Sequence, residues 1–201
     1  MLTKHLNIIK PISFLLLLFF LLQSTSCCDE KTFSFTKEQE LLTVGLEEGS
    51  KSLLASERDT IEFEVIRVTN DFLNAGTGIS SCNDMDEVSW VEFANGTAFF
   101  VEARESGFEM SISLAFGDLY KTYEIQLQGS QYNLIDRSDE SIITEDAVRF
   151  LESFSIGGRE FNEAIQIVEI DDSGISSELI YNNEFGILRY TADAITYKLV
   201  D

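Results

Sequence analysis

The chain has 201 residues, with 35 Asp and Glu against 14 Lys and Arg, one histidine and one proline. His5 and Pro11 both lie at the N-terminal end, so everything after them is histidine-free. This excludes Ser–His–acid and Cys–His catalysis and zinc sites built on imidazole, and so strong an acidic excess excludes nucleic-acid binding, which relies on Lys and Arg against phosphate.

Lys4, His5 and Lys10 form a basic start, and Ile12 to Leu22 is an apolar run. As a helix it would rise about 16 Å, short of the roughly 20 residues that span a bilayer. Thr25 and Ser26 are small, so residues 1–26 read as a cleaved signal peptide. The end of this leader resembles the processing site of bacterial lipoproteins, with Ser24 where the pattern usually has leucine, a looseness common in Bacteroidetes-type lipoproteins. The resemblance makes Cys27 the lipidated first residue of the mature chain. Asp29 and Glu30 resemble the acidic patch that accompanies export to the outer face of the outer membrane. The expected location is therefore the bacterial outer membrane, facing the exterior, with the membrane touched only through acyl chains. Without lipid, Cys27 and Cys28 would be plain thiols or disulfide partners.

Of the 14 Lys and Arg, Lys4 and Lys10 leave with the leader, so the mature chain balances 12 against 35 acids, a formal charge of −23. Its aromatic residues argue for a folded domain rather than disorder. With Cys27 lipidated, Cys28 and Cys82 are the one intramolecular pair that could form a disulfide, provided their Cα atoms approach to about 4.4–6.8 Å.

Residues 27–35 read as a lipid-anchored tether and 36–201 as one domain. Thr36 and Gln39 have the capping-box spacing, although Leu41, Leu42 and Val44 fit a first strand equally well. From Thr60 the apolar residues recur at spacing two: Ile61, Phe63 and Val65 first, then Phe108 to Phe116, then Tyr123, Ile125 and Leu127. Asn95-Gly96 is a hairpin dipeptide, which also accounts for the glycosylation-like Asn95-Gly96-Thr97. Residues 129–147 are polar and interrupt the strands, with a short helical turn expected between Ser141 and Ala147. Strands then resume to the C-terminus. The prediction is an all-β, single antiparallel domain of about nine strands, a β-sandwich or partly open barrel.

The strands after Gly157-Gly158, marked by Phe161, Tyr181, Gly186, Ile187, Tyr190 and Tyr197, resemble the closing pattern of uncharacterised Bacteroidetes lipoproteins. That resemblance implies an envelope location and transfers no catalytic residue. Tyr181 and Tyr190 are expected to pack, facing each other across a hairpin, or else to offer an aromatic binding surface.

Hard cations need oxygen ligands, which Asn83, Asp84, Asp86 and Glu87 supply in one acidic stretch, making calcium the one candidate cofactor. Asp171-Asp172-Ser173-Gly174 is a weaker version of the same idea. Asp59-Thr60-Ile61 resembles a short O-glycosylation signal acting at Thr60. Carboxylate pairs such as Glu92 with Glu102, or Glu62 with Glu64, have the groups of a glycosidase but read more simply as solvated strand faces. The expected function is a non-enzymatic lipoprotein that binds an envelope protein or extracellular polymer; a carrier with an internal apolar cavity and a histidine-free carboxylate enzyme are the alternatives.

Overall fold

Alternation of buried and partly exposed side chains is strictest in Gly107–Phe116, and the same period builds most of the molecule. The computed structural model describes residues 31–74, 85–105, 107–116, 119–172, 174–192 and 195–200. Its elements begin with β1 (Thr32–Phe33), α1 (Lys37–Leu42), β2 (Lys51–Ala55), β3 (Thr60–Asn74), β4 (Met85–Phe93) and β5 (Ala98–Arg104). They continue with β6 (Gly107–Phe116), β7 (Leu119–Gln128), β8 (Gln131–Asp136), β9 (Ser141–Thr144) and β10 (Val148–Ile156). The last are β11 (Arg159–Asp171), β12 (Gly174–Asn182), β13 (Gly186–Ala192) and β14 (Ile195–Val200).

The strands form one 14-stranded sheet in the order β10-β11-β12-β13-β14-β2-β3-β4-β5-β6-β7-β8-β9, antiparallel throughout except that β1 runs parallel beside β4. The all-β antiparallel expectation therefore holds, while the sheet has more strands than the nine or so predicted. The additions are β1, β2, β8 and β9, which are short or show no alternation of buried and exposed positions. The helical turn expected between Ser141 and Ala147 is not there: Ser141–Thr144 is strand β9, and a tight turn at Asp146 (φ 49°) follows it.

The sheet has two halves that share one strand. β3 pairs with β2 through Thr60–Glu64 and with β4 through Val65–Asn74, and the register slips between Val65 and Arg67. A bulge of this kind bends the strand and increases its twist. At the far ends of the path, Ala147 N–H donates to Tyr132 O (2.8 Å) and Val168 N–H to Ala147 O (2.9 Å). Ile170 N–H adds a bond to Thr144 Oγ1 at 3.0 Å. These stitch β8 and β9 to β11, but among the described residues no ladder closes the sheet into a barrel.

Rings from the two halves meet between them. Phe116 on β6 stacks on Tyr190 of β13 with centroids 4.6 Å apart and planes at 22°, and lies 4.8 Å from Tyr197 of β14. Phe99 of β5 meets Tyr181 of β12 at 5.2 Å, and Phe63 meets Phe93 at 5.8 Å. Tyr123 O–H donates across the same interior to Ser177 Oγ at 2.8 Å.

The segment before β2 covers one end of this core. The Thr36 side chain accepts from Gln39 N–H (3.2 Å) while Gln39 Oε1 accepts from Thr36 N–H (2.8 Å), a complete capping box that starts α1. Leu42 is fully buried and its carbonyl accepts from Tyr181 O–H at 2.9 Å. Asn183, in the β12–β13 turn, donates to Thr43 O (2.8 Å) and Thr43 Oγ1 (3.0 Å). Gly45 is required beside it, because a Cβ there would lie 2.7 Å from Asn183 Oδ1. Gly45→Ala is therefore expected to cost about 1–3 kcal/mol in urea unfolding, the usual cost of overpacking. Removing the obstructing amide as well, in Gly45→Ala/Asn183→Ala, should cost less than the sum of the two single changes. Full additivity would refute the clash.

Residues 31–35, read from sequence as tether, are part of this end. Met85 N–H donates to Lys31 O at 2.8 Å, and Phe35 packs edge-on against Phe108 at 6.5 Å.

Candidate binding face

The site residues expected from sequence scatter. Cys27, Cys28, Cys82, Asn83 and Asp84 lie outside the described residues. Asp86 and Glu87 are neighbours in β4, so the pleat sends their side chains to opposite faces of the sheet. Glu87 Oε2 accepts from Phe35 N–H at 2.7 Å, holding the N-terminal segment, while Asp86 is buried on the outer side near Arg104. Among the described residues no three His, Cys, Asp or Glu side chains gather as metal ligands would.

Tyr181 and Tyr190 are 0% and 2% exposed, so the alternative of an aromatic binding surface at these rings has no ring area to offer. Nor do they face each other: Leu179 opposes Tyr190 and Ile187 opposes Tyr181, because a bulge shifts the register between Ile180 and Tyr181. Burial of the Tyr181 hydroxyl pushes its pKa well above the ordinary value. Thr60 is exposed at the start of β3, and its neighbour Asp59 accepts from Ser56 Oγ (2.7 Å) and Tyr197 O–H (3.3 Å). Asp171 closes β11 and Gly174 opens β12, in register with each other across a tight turn.

Three of the four carboxylates considered as pairs, Glu62, Glu64 and Glu102, are engaged in ion pairs. Lys51 Nζ lies 3.0 Å from both Glu62 and Glu64, whose hydrogen bonds raise its pKa. Glu102 pairs with Arg104, whose other nitrogen lies 3.0 Å from Glu109.

The feature that sequence reasoning did not assemble is the outward face of β4–β8. Cross-strand register aligns Trp90 with Phe100, Phe100 with Ser111, Ser111 with Glu124 and Glu124 with Ile135. At about 4.8 Å per strand this row runs roughly 19 Å across the sheet. Trp90 and Phe100 are partly exposed, and the Arg67 guanidinium lies 4.3 Å over the Trp90 ring. Ser111 Oγ donates to Glu124 Oε1 at 3.0 Å, and Arg137 Nη1 reaches the same oxygen at 3.2 Å. A depression of about 240 Å³ sits here, lined by Arg104, Glu109, Glu124, Gln126, Arg137 and Glu140 among others. Further along the same face of β7, four residues before Glu124, Tyr120 is 68% exposed, its hydroxyl pKa lowered by hydrogen bonds with Ser113 and Thr122. Hydrogen bonding to Glu102 raises the Arg104 pKa.

A larger depression, about 680 Å³, lies between α1 and the turn at Asn183, lined by Lys37, Glu40, Glu160, Phe161, Glu163 and Phe185 among others. Its amides are already engaged in structure: Asn182 bonds the Asn162 carbonyl and the 184–185 backbone, and Asn183 latches α1. The free side of β3 is likewise blunted by acids. Val68 N–H goes to Glu48 Oε1 (3.2 Å) and Phe72 N–H to Asp71 Oδ1 (2.8 Å), which hinders strand addition there.

Searches against protein-family models, curated proteins and solved structures find no match, so the outward face of β4–β8 stands without a named counterpart.

Proposed function

We propose that the protein is a non-enzymatic, lipid-anchored domain of the bacterial outer membrane, facing the exterior, which binds an envelope component on its side wall. The observation that carries this reading is the docking of residues 31–35. Their hydrogen bonds to Met85 and Glu87 put the point where the chain enters the fold at the same end as α1. From Cys27 to Lys31 the backbone can reach at most about 14 Å, so a lipid on Cys27 would hold that end close to the membrane. The Asn95-Gly96 hairpin and the Ser56–Asp59 turn would then point away, with the strands upright and the face of β4–β8 open to the side. In this reading the sheet is a sandwich whose layers share β3 and are stitched together at β9–β11.

A carrier function has less support, because Phe63, Phe93, Phe99, Phe116, Tyr181 and Tyr190 fill the described interior with ring contacts. A calcium role depends on Asn83 and Asp84, since Asp86 and Glu87 diverge.

Mass spectrometry of protein purified from its host membranes tests the anchor. A diacyl or triacyl adduct on Cys27, lost in Cys27→Ala together with membrane retention, is the expected result. Proteolysis of the domain on intact cells should follow. An unmodified, soluble chain would sink this reading.

A further inference from the structure

We infer that the outward face of β4–β8 binds an uncharged polysaccharide, an inference that rests on reading the domain as an envelope binding module and names what it binds. Three properties of the face select this chemistry. First, Tyr120 is 68% exposed and Phe100 and Trp90 are partly exposed, Trp90 with one ring face under the Arg67 guanidinium. The ring area that stays open is where the C–H faces of sugars stack. Second, hydroxyl, amide and charged groups stand between and beside those rings: Ser111, Ser113, Thr122, Glu124 and Gln126 alternate outward along β6 and β7. A strand face that sets ring area among donors and acceptors suits a ligand whose own surface alternates C–H and O–H.

Third, charge decides against the competing polymers. Arg104 is paired with Glu102 and Glu109, and Arg137 with Glu124, so these guanidiniums are neutralised before any ligand arrives. In a mature chain of formal charge −23, a polyanion such as a uronate polymer meets net repulsion, which the Arg67 guanidinium over Trp90 offsets only locally. The paired side chains still offer fixed N–H donors and carboxylate acceptors, which vicinal hydroxyls can bridge. The partly exposed row from Trp90 to Glu124, roughly 14 Å long, is longer than one sugar ring, so the occupant is a chain.

Native affinity electrophoresis of the full chain in mild detergent, through gels containing galactomannan, xyloglucan, dextran or laminarin, tests this, with polygalacturonate as the charged comparison. At least one neutral polymer should retard the protein, and polygalacturonate should not. Tyr120→Ala combined with Arg137→Gln removes exposed groups and should weaken retardation about tenfold, the scale of losing a good contact. Ile175→Ser, at an exposed position on β12, should leave it unchanged, and thermal melting should show all three chains folded. The inference is overturned if no neutral polymer retards the protein, if polygalacturonate is preferred, or if the double variant binds as the parent does. The outcome is separable from the anchor, because Cys27→Ala should bind sugar as well as the parent even if the lipid reading fails.

Discussion

Phe116→Ala should lower the free energy of unfolding by about 3–5 kcal/mol, the range for deleting a fully buried ring whose site cannot collapse. The residue is 1% exposed and touches Phe63, Tyr190 and Tyr197 at centroid distances of 5.2, 4.6 and 4.8 Å. Those partners come from β3, β13 and β14, so one ring ties β6 to the opposite half of the sheet and to the strand both halves share. Collapse is hindered because each neighbour is itself held. Tyr197 bonds Asp59, and Phe63 is wedged against Phe93. Urea unfolding followed by Trp90 fluorescence and far-ultraviolet circular dichroism should give coincident transitions for the parent. For a domain with a typical 5–15 kcal/mol of stability, the variant would lose a large share. A loss below about 1 kcal/mol would show that the two halves do not pack through this ring. Phe150→Ala, at a ring 38% exposed on edge strand β10, should cost clearly less and serves as the contrast.

The contrast explains which parts of the fold could be read in advance. Where a strand has one wet and one dry face, as in Gly107–Phe116, the alternation is written into the residues and the strand is legible. Asn95-Gly96 and Gly157-Gly158 are equally plain, because their backbones have positive φ at glycine (89° at Gly96, 61° and 85° at the pair). Strands buried or exposed on both sides lose the pattern. Tyr132, Asn133, Leu134 and Ile135 of β8 are all buried, so no period appears. Ser141, Ile142 and Ile143 of β9 are all exposed, with the opposite effect. β1 exists only because β4 extends past its ladder with β5, leaving an edge at Met85 and Asp86 for it to pair with. Nothing within Thr32–Phe33 announces that.

The candidate face was illegible for a related reason. Each of its residues looks like an ordinary solvated strand position, and the informative fact is the register that lines up Trp90, Phe100, Ser111 and Glu124. Register over several strands is set by turn lengths and bulges together, not by any one segment. Acidic runs misled in the opposite direction. Asp86 and Glu87 look like paired ligands when read along the chain, and the pleat separates them.

A spectrophotometric titration of the six tyrosines at 295 nm should separate them into distinct groups. Tyr120 should ionise first, at or below the ordinary phenol range. Tyr132, pushed up to about 12 by burial and then by the Glu38 carboxylate, should stay neutral well past it. Tyr123 and Tyr181 are raised further by burial and should ionise only as the chain unfolds. The sign follows from linkage. A phenol whose folded pKa lies above its unfolded value near 10 keeps its proton in the fold after the unfolded chain has lost its own. Its stabilising contribution is complete below pH ~10 and is lost as pH rises through the folded value, so unfolding free energy should fall steeply above pH ~10. Tyr181→Phe separates the bond from the proton. At pH 8 the variant should be about 1–2 kcal/mol less stable, having left the Leu42 carbonyl without its donor. Toward pH 12 that difference should shrink, because the variant has one fewer buried phenol to ionise on unfolding. All six rings ionising together near pH 10 in a chain that keeps its circular dichroism spectrum would contradict the packed interior. A Tyr181→Phe deficit that stays constant from pH 8 to 12 would place the Tyr181 hydroxyl in contact with solvent instead.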